Sequence, residues 1–125
     1  MDPEIQRRMQ FSRRLEEGGI DNALILRRET AERVLTEKRM ELLEAIATSS
    51  IESKRDLART VDRDISIVSR DLDVLFEASV IEYEEGGGRQ RPVLKHANVL
   101  VEPVVFEGEV AGSGESEPTE EAVAP

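Results

Sequence analysis

The sequence predicts an α+β fold: a winged helix-turn-helix with a small antiparallel sheet, an extra N-terminal helix and a C-terminal strand. Three observations point there. Residues Ser53 to Ala78 read as two helices joined by a tight turn. Val80 to Glu84 alternates like a strand, and a glycine-rich tip carrying two arginines follows it. Two short apolar runs, Ala23 to Leu26 and Val99 to Phe106, flank this centre and have the composition of strands.

Taken in order, Pro3 to Glu17 is expected to be helical. Ile5, Met9 and Leu15, with Phe11 to one side, give it a patchy apolar face, and Arg7, Arg8, Arg13 and Arg14 form two basic pairs. A solvated helix or arm fits this pattern, as does a phosphate-contacting arm or a dimer helix. Gly18 and Gly19 stop the helix, because glycine accepts the left-handed geometry of a helix end. Ala23 to Leu26 fits a short strand, and the run is brief enough to fit buried helix as well. Thr30 is expected to cap a helix through Val34 and Leu35. Thr36 opens the next, with Met40, Leu43, Ile46 and Ala47 as its inward stripe and Leu42 beside it. Ile51 is expected to pair as a single β-residue.

The central motif begins at Ser53, whose hydroxyl can accept a bond from a free first-turn amide. Asp56 completes a capping box in which Asp replaces the usual Glu or Gln. Leu57, Ala58 and Val61 face inward on a helix from Lys54 to about Thr60. Asp64 caps a second helix from Ile65 to about Ala78, with Val68, Leu72, Leu75 and Phe76 as a buried stripe that Ile65 extends. Pro92 to Leu94 can return as the partner of Val80 to Glu84, with Glu85 to Arg91 as the wing tip. Pro103 lacks a ladder donor and marks an edge or a bend in the last strand. Residues 107–125 are rich in Gly, Ser, Glu and Pro and have little to bury, so they are expected to form a disordered acidic tail. The expected organisation is an N-terminal helix or arm over 1–22, the winged helix-turn-helix over 23–106 and the tail beyond.

The second helix of the motif has the dimensions to enter a DNA major groove. Its polar edge carries Ser66, Ser69 and Arg70. Arg70 can contact guanine O6 and N7 together, worth roughly 1–3 kcal/mol of discrimination, or grip phosphate, or pair with Asp71 or Asp73. Arg89 and Arg91 at the wing suit a narrow minor groove with its concentrated negative potential. Lys54 and Arg55 sit where the first helix of the motif meets the DNA backbone. Each assignment stands beside a plainer one: solvated serines, and a hairpin tip screened by Glu84 and Glu85. Asp71 and Asp73 place acid on the helix that should approach phosphate.

Composition narrows the classes. A chain of 125 residues has room for one domain and tails, not for a separate catalytic domain. Cysteine is absent, which removes disulfides and thiolate metal sites. The lone histidine, His96, has no second His or Cys to share a metal, and no Ser/His/Asp spacing supports catalysis. No cofactor, metal or enzymatic activity is expected. No apolar run reaches the length of a membrane span, and the N-terminus lacks the apolar stretch of a secretory signal, so a soluble cytoplasmic protein is expected. The net charge of −10 argues against nucleic acid at first sight. Its distribution is uneven: residues 1–35 are neutral, 36–98 carry −3 and 99–125 carry −7. The residual acidity suits a halophile, because in ~1 M salt the Debye length is only ~3 Å and like charges are screened.

The stretch from Ser53 to Arg91 resembles the winged-helix regulators of the MarR and ArsR kind. With the lead-in VLTEKRMELLEAIA and the trailing NVLVEPVVF, all of Ala23 to Phe106 is similar to a small family of archaeal and bacterial winged-helix transcriptional regulators. In that family a short strand and helix precede Leu-Thr-x-Lys-Arg, matched here by Leu35, Thr36, Lys38 and Arg39, and a final strand follows the wing. The turn departs from common helix-turn-helices, with Val61, Asp62 and Arg63 where a glycine is frequent. The resemblance implies that Ala23 to Leu26 is a strand and that the protein is a sequence-specific DNA-binding regulator. It also admits an antitoxin-like autoregulator encoded beside a small toxin. A winged helix that binds a protein partner and not DNA is the competing class, supported by the acid on the recognition helix. A homodimer on double-stranded DNA is expected, with Ala23 to Leu26 and Val99 to Phe106 as its apolar surface, unless those strands pair within one chain.

Overall fold

Three helices packed on one another carry the core. The computed structural model describes residues 2–104, 106 and 108–112. Their order is α1 (Pro3–Glu17), β1 (Ala23–Leu26), α2 (Arg28–Val34), α3 (Glu37–Thr48), α4 (Lys54–Val61), α5 (Ile65–Glu77), β2 (Ile81–Gly86), β3 (Arg89–Leu94) and β4 (Asn98–Val101). Leu42 of α3, Leu57 and Ala58 of α4, and Val68, Leu72 and Leu75 of α5 meet in one cluster. Val34, Ile51, Val80 and Ile81 close it from the flanks. The fold is the expected α+β winged helix-turn-helix, with α4 and α5 as the motif and β2–β3 as the wing.

Side-chain caps set three helix starts. Thr36 accepts from the Arg39 amide, Ser53 from the Asp56 amide and Asp64 from the Ser66 amide. The ends of α4 and α5 share one device. The Arg63 amide donates to the Ala58 carbonyl and the Asp62 amide to Arg59; the Val80 amide donates to Leu75 and the Ser79 amide to Phe76. Both are Schellman ends, and the left-handed residue is Asp62 (φ 55°) in one and Ser79 (φ 65°) in the other. Asp62 thus occupies the place where a glycine is common. Buried Leu75 and Val80 supply the hydrophobic contact of the second end.

The wing is an antiparallel hairpin pairing Ile81 with Leu94 through to Gly86 with Arg89. Gly87 and Gly88, at φ 59° and 76°, form its two-residue turn. Positive φ at both central residues is what a type I′ hairpin turn requires.

Several expectations change. β1 and β4 form a second, separate sheet, and they run parallel, from Ala23 beside Asn98 to Leu26 beside Val101. The pairing is within one chain, so these strands do not meet through a partner. Leu24 and Val99 pack on the core from this sheet. β4 ends at Val101, just before Glu102 and Pro103, and Phe106 is 86% exposed. Val105 lies outside the described residues. Ile51 joins no strand; it is buried between α3 and α4. α2 starts at Arg28, without a side-chain cap, and not after Thr30. On α3 the buried face centres on Leu42, with Leu43, Ala45 and Ile46 beside it, while Met40 and Ala47 are exposed. The reason is geometric: α3 meets α4, α5 and β3, and Leu42 is the residue that points between them. Phe76 is likewise half exposed and stacks on the wing. Most of the expected acidic tail lies outside the described residues; residues 108–112 contain no helix or strand.

Candidate nucleic-acid interface

The start of α4 puts two cations beside a helix N-terminus. Ser53 caps it, and Asp56 reaches back to accept from the Glu52 amide at 2.9 Å. With the first-turn amides held this way, Lys54 and Arg55 occupy the first two helical positions. The positive end of the helix dipole adds to their charge. Arg59, one turn on, is 76% exposed on its side chain, with Asp56 at 3.7 Å.

The wing is fixed against this helix by an aromatic stack. The Lys54 Nζ lies 5.0 Å from the centroid of the Tyr83 ring. Phe76 at the end of α5 stacks on Tyr83 at 5.3 Å and 28°. One tyrosine therefore joins α4, α5 and β2. Burial, helped by the negative charge of Asp73, raises the Tyr83 pKa. Its hydroxyl finds no hydrogen-bond partner among the described residues.

Between the start of α4 and the wing tip lies a groove of about 590 Å³. Lys54, Arg55, Arg59 and Arg89 line it. The structure thus brings together three of the expected residues, Lys54, Arg55 and Arg89, and adds Arg59. Arg91, opposite Glu84 in the hairpin, ion-pairs with it at 2.8 Å. Its charge is answered locally, whereas no carboxylate of the described residues lies within ion-pair distance of Arg89.

On α5, Ser66 is engaged in the cap: its amide and hydroxyl both donate to the Asp64 carboxylate. Those bonds hold the Asp64 pKa below its ordinary value. Ser66 therefore retains acceptor capacity but has committed its proton. Ser69 is half-buried, and Arg70 is exposed with no ion-pair partner among the described residues. Asp71 does not accompany Arg70. It turns inward, where the Arg39 Nε donates to it at 3.0 Å. Arg39 also donates through Nη1 to the Arg33 carbonyl at 2.9 Å, at the end of α2. Asp73 and Glu77 remain exposed farther along the helix.

Sequence reasoning passed over two interface residues. Arg59 repeats Arg55 at i+4, which puts both on one helix face. Ile67 is 51% exposed on α5 and three residues before Arg70; an aliphatic side chain there can meet a thymine methyl group. Arg63 was also silent in sequence. It bonds the Lys38 carbonyl at 3.0 Å and Glu41 at 3.1 Å, tying the turn of the motif to α3. Among the described residues, no group of three His, Cys, Asp or Glu is placed to hold a metal. No described helix is long and apolar enough to cross a membrane.

The model of the family HVO_A0114 matches residues 34–101, from the end of α2 to the end of β4. No curated protein matches. Among solved structures, the chain is similar to a homodimeric winged helix-turn-helix DNA-binding domain from Mycobacterium bovis, described as a possible ArsR-family transcriptional regulator. The identity is 17% and the TM-score 0.48, over 53% of this chain and 60% of that one, which is less than two thirds of its length.

Proposed function

The chain belongs to the HVO_A0114 family, and on that premise we propose that it is a sequence-specific DNA-binding transcriptional regulator, acting as a repressor that occludes a promoter. One observation carries the proposal: the exposed, unpaired Arg70 of α5 shares a domain with a four-cation groove between α4 and the wing. α5 enters the major groove, where Arg70 reads guanine and Ile67 adds an apolar contact. Lys54, Arg55 and Arg59 grip phosphate, and Arg89 reaches toward the minor groove. Ser66 and Ser69 accept or donate at the helix edge, and Arg91 orients through Glu84. Residues 23–106 act as the DNA-binding domain between the N-terminal helix and the acidic tail.

The regulator acts as a homodimer on half-sites about 10–10.5 bp apart, since two copies double the phosphate contacts of one small domain. Exposed Ile5, Met9, Val101 and Val104 support an apolar surface near the two termini. The acidic composition fits work in concentrated salt. The protein-partner reading leaned on acid along α5; with Asp71 engaged by Arg39, half of that support is gone.

The test is footprinting on the chain's own upstream region, with Arg70→Ala beside the wild type. The expected result is a protected two-fold site whose sequence preference flattens in the variant. No footprint at any salt concentration would overturn the proposal in favour of a protein partner.

A further inference from the structure

α1 is the least buried helix of the domain, with no buried residue. One of its faces nonetheless meets a cavity. Glu4, Arg7, Phe11 and Arg14 follow helical spacing and fall on one stripe. That stripe, with Arg8 at its side, lines a cleft of about 400 Å³. The opposite wall is Arg28, the first residue of α2, and the segment Glu102 to Val104 that follows β4. The family match begins after α1, so this cleft is built partly from a segment outside it.

Its chemistry is unlike the rest of the chain. Four guanidinium groups converge on it against two carboxylates, in a protein of net charge −10. Only Arg8 has a carboxylate in reach, with Glu102 at 4.0 Å. Phe11, Pro103 and Val104 supply apolar wall. Guanidinium forks recognise carboxylate and phosphate oxygens two at a time. A cleft of a few hundred Å³ with apolar walls and a few convergent polar groups has the form of a small-molecule site. It lacks the reach of a duplex-binding surface, and none of its residues lines the groove between α4 and the wing.

We infer that the cleft between α1 and the segment after β4 binds a small organic anion with an apolar body. The guanidinium groups of Arg7, Arg14 and Arg28 hold the anionic head, and Phe11 packs against the body. Glu102 competes for Arg8 and repels the head. This site stands whether or not the protein binds DNA.

Phenyl phosphate is a suitable probe, with inorganic phosphate and benzyl alcohol as its charged and apolar halves. The full chain is titrated in an amide-resolved NMR experiment. The expected result is saturable shifts at Arg7, Phe11, Arg14 and Arg28, with a Kd on the order of 1 mM. Each half should bind roughly tenfold or more weakly. The double variant Arg7→Gln, Arg14→Gln should weaken binding by about tenfold, the loss of one charge-assisted contact. Glu102→Gln should strengthen it, a gain that misfolding does not mimic. The inference is overturned by the absence of saturation, by shifts centred on Lys54 and Arg89, by equal binding of inorganic phosphate, or by weaker binding to the Glu102 variant.

Discussion

The groove between α4 and the wing makes a quantitative claim about salt. Each protein cation that neutralises a phosphate contributes about −0.9 to the slope of log affinity against log salt concentration. Arg55, Arg59 and Arg89 line the groove and are all exposed. Their replacement by glutamine should therefore leave the fold intact. The one ion pair lost, Arg59 with Asp56 at 3.7 Å, is exposed on the arginine side and contributes ~0–1 kcal/mol. If all three contact phosphate, the triple variant should bind DNA with a slope shallower by about 2.7. Over a tenfold rise in salt it should lose about 2.7 fewer decades of affinity than the wild type. Arg70→Ala should change the slope by no more than about 0.9 while lowering discrimination among sites by roughly 1–3 kcal/mol. Fluorescence anisotropy with a labelled duplex, from 0.1 to 1 M potassium chloride (about a Debye length of 10 Å down to 3 Å), measures both. An unchanged slope in a triple variant that melts like the wild type would refute the groove as a phosphate site.

Three further outcomes follow from packing and titration. Arg39 joins α2 to α5 through the Arg33 carbonyl and Asp71, with both side chains 18% exposed. Arg39→Gln should destabilise by about 2–3 kcal/mol, and a double-mutant cycle with Asp71→Asn, read by urea unfolding, should give a coupling of about 1–2 kcal/mol; a coupling near zero would show the pair to be incidental. Asp62→Gly should raise stability by about 0.5 kcal/mol, because glycine relieves the left-handed strain while adding unfolded-state entropy; a lower melting temperature would count against strain at that position. Tyr83 is the sole tyrosine in a chain without tryptophan, so absorbance near 295 nm reports it alone. Its phenol should titrate above 10.0, and Asp73→Asn should bring the midpoint down. With the folded pKa raised, this group's contribution to stability is complete below the unfolded value and is lost as pH rises through the folded one. An ordinary midpoint would mean that the stack with Phe76 and Lys54 is not kept in solution.

The motif was legible because local signals agreed there. Ser53 and Asp64 are strong caps, Val68, Leu72 and Leu75 keep helical spacing, and two glycines sit where a hairpin tip needs positive φ. The wing glycines announced a turn; Asp62 did not, since an aspartate in the left-handed region leaves little sequence trace. α3 misled for another reason. Met40, Leu43 and Ala47 also share a helical face, and only tertiary contact selects Leu42 over them. The parallel pairing of β1 with β4 is set by how the chain returns after the wing, which no local pattern encodes. Among the site residues, charge and position identified Lys54, Arg55, Arg70 and Arg89. That Arg91 and Ser66 are engaged locally depends on cross-strand register and cap geometry.

Ion pairing explains how an acidic domain can present a basic face. Residues 36–98 hold more acid than base, yet their cations are sorted by where acid can reach them. Lys38 and Arg63 meet Glu41, Arg39 meets Asp71, Arg59 meets Asp56, and Arg91 meets Glu84. The cations of this segment without such a partner are Lys54, Arg55, Arg70, Arg89 and Lys95, and all but Lys95 belong to the proposed interface. Unpaired arginines keep their donors for phosphate and base edges, which is what short-range recognition requires. The long-range field of the chain opposes approach to DNA at low salt. At ~1 M salt that field is screened beyond ~3 Å, while contacts made within that distance persist. Concentrated salt thus removes the repulsion that net charge imposes, and the pairing pattern decides which cations remain to bind.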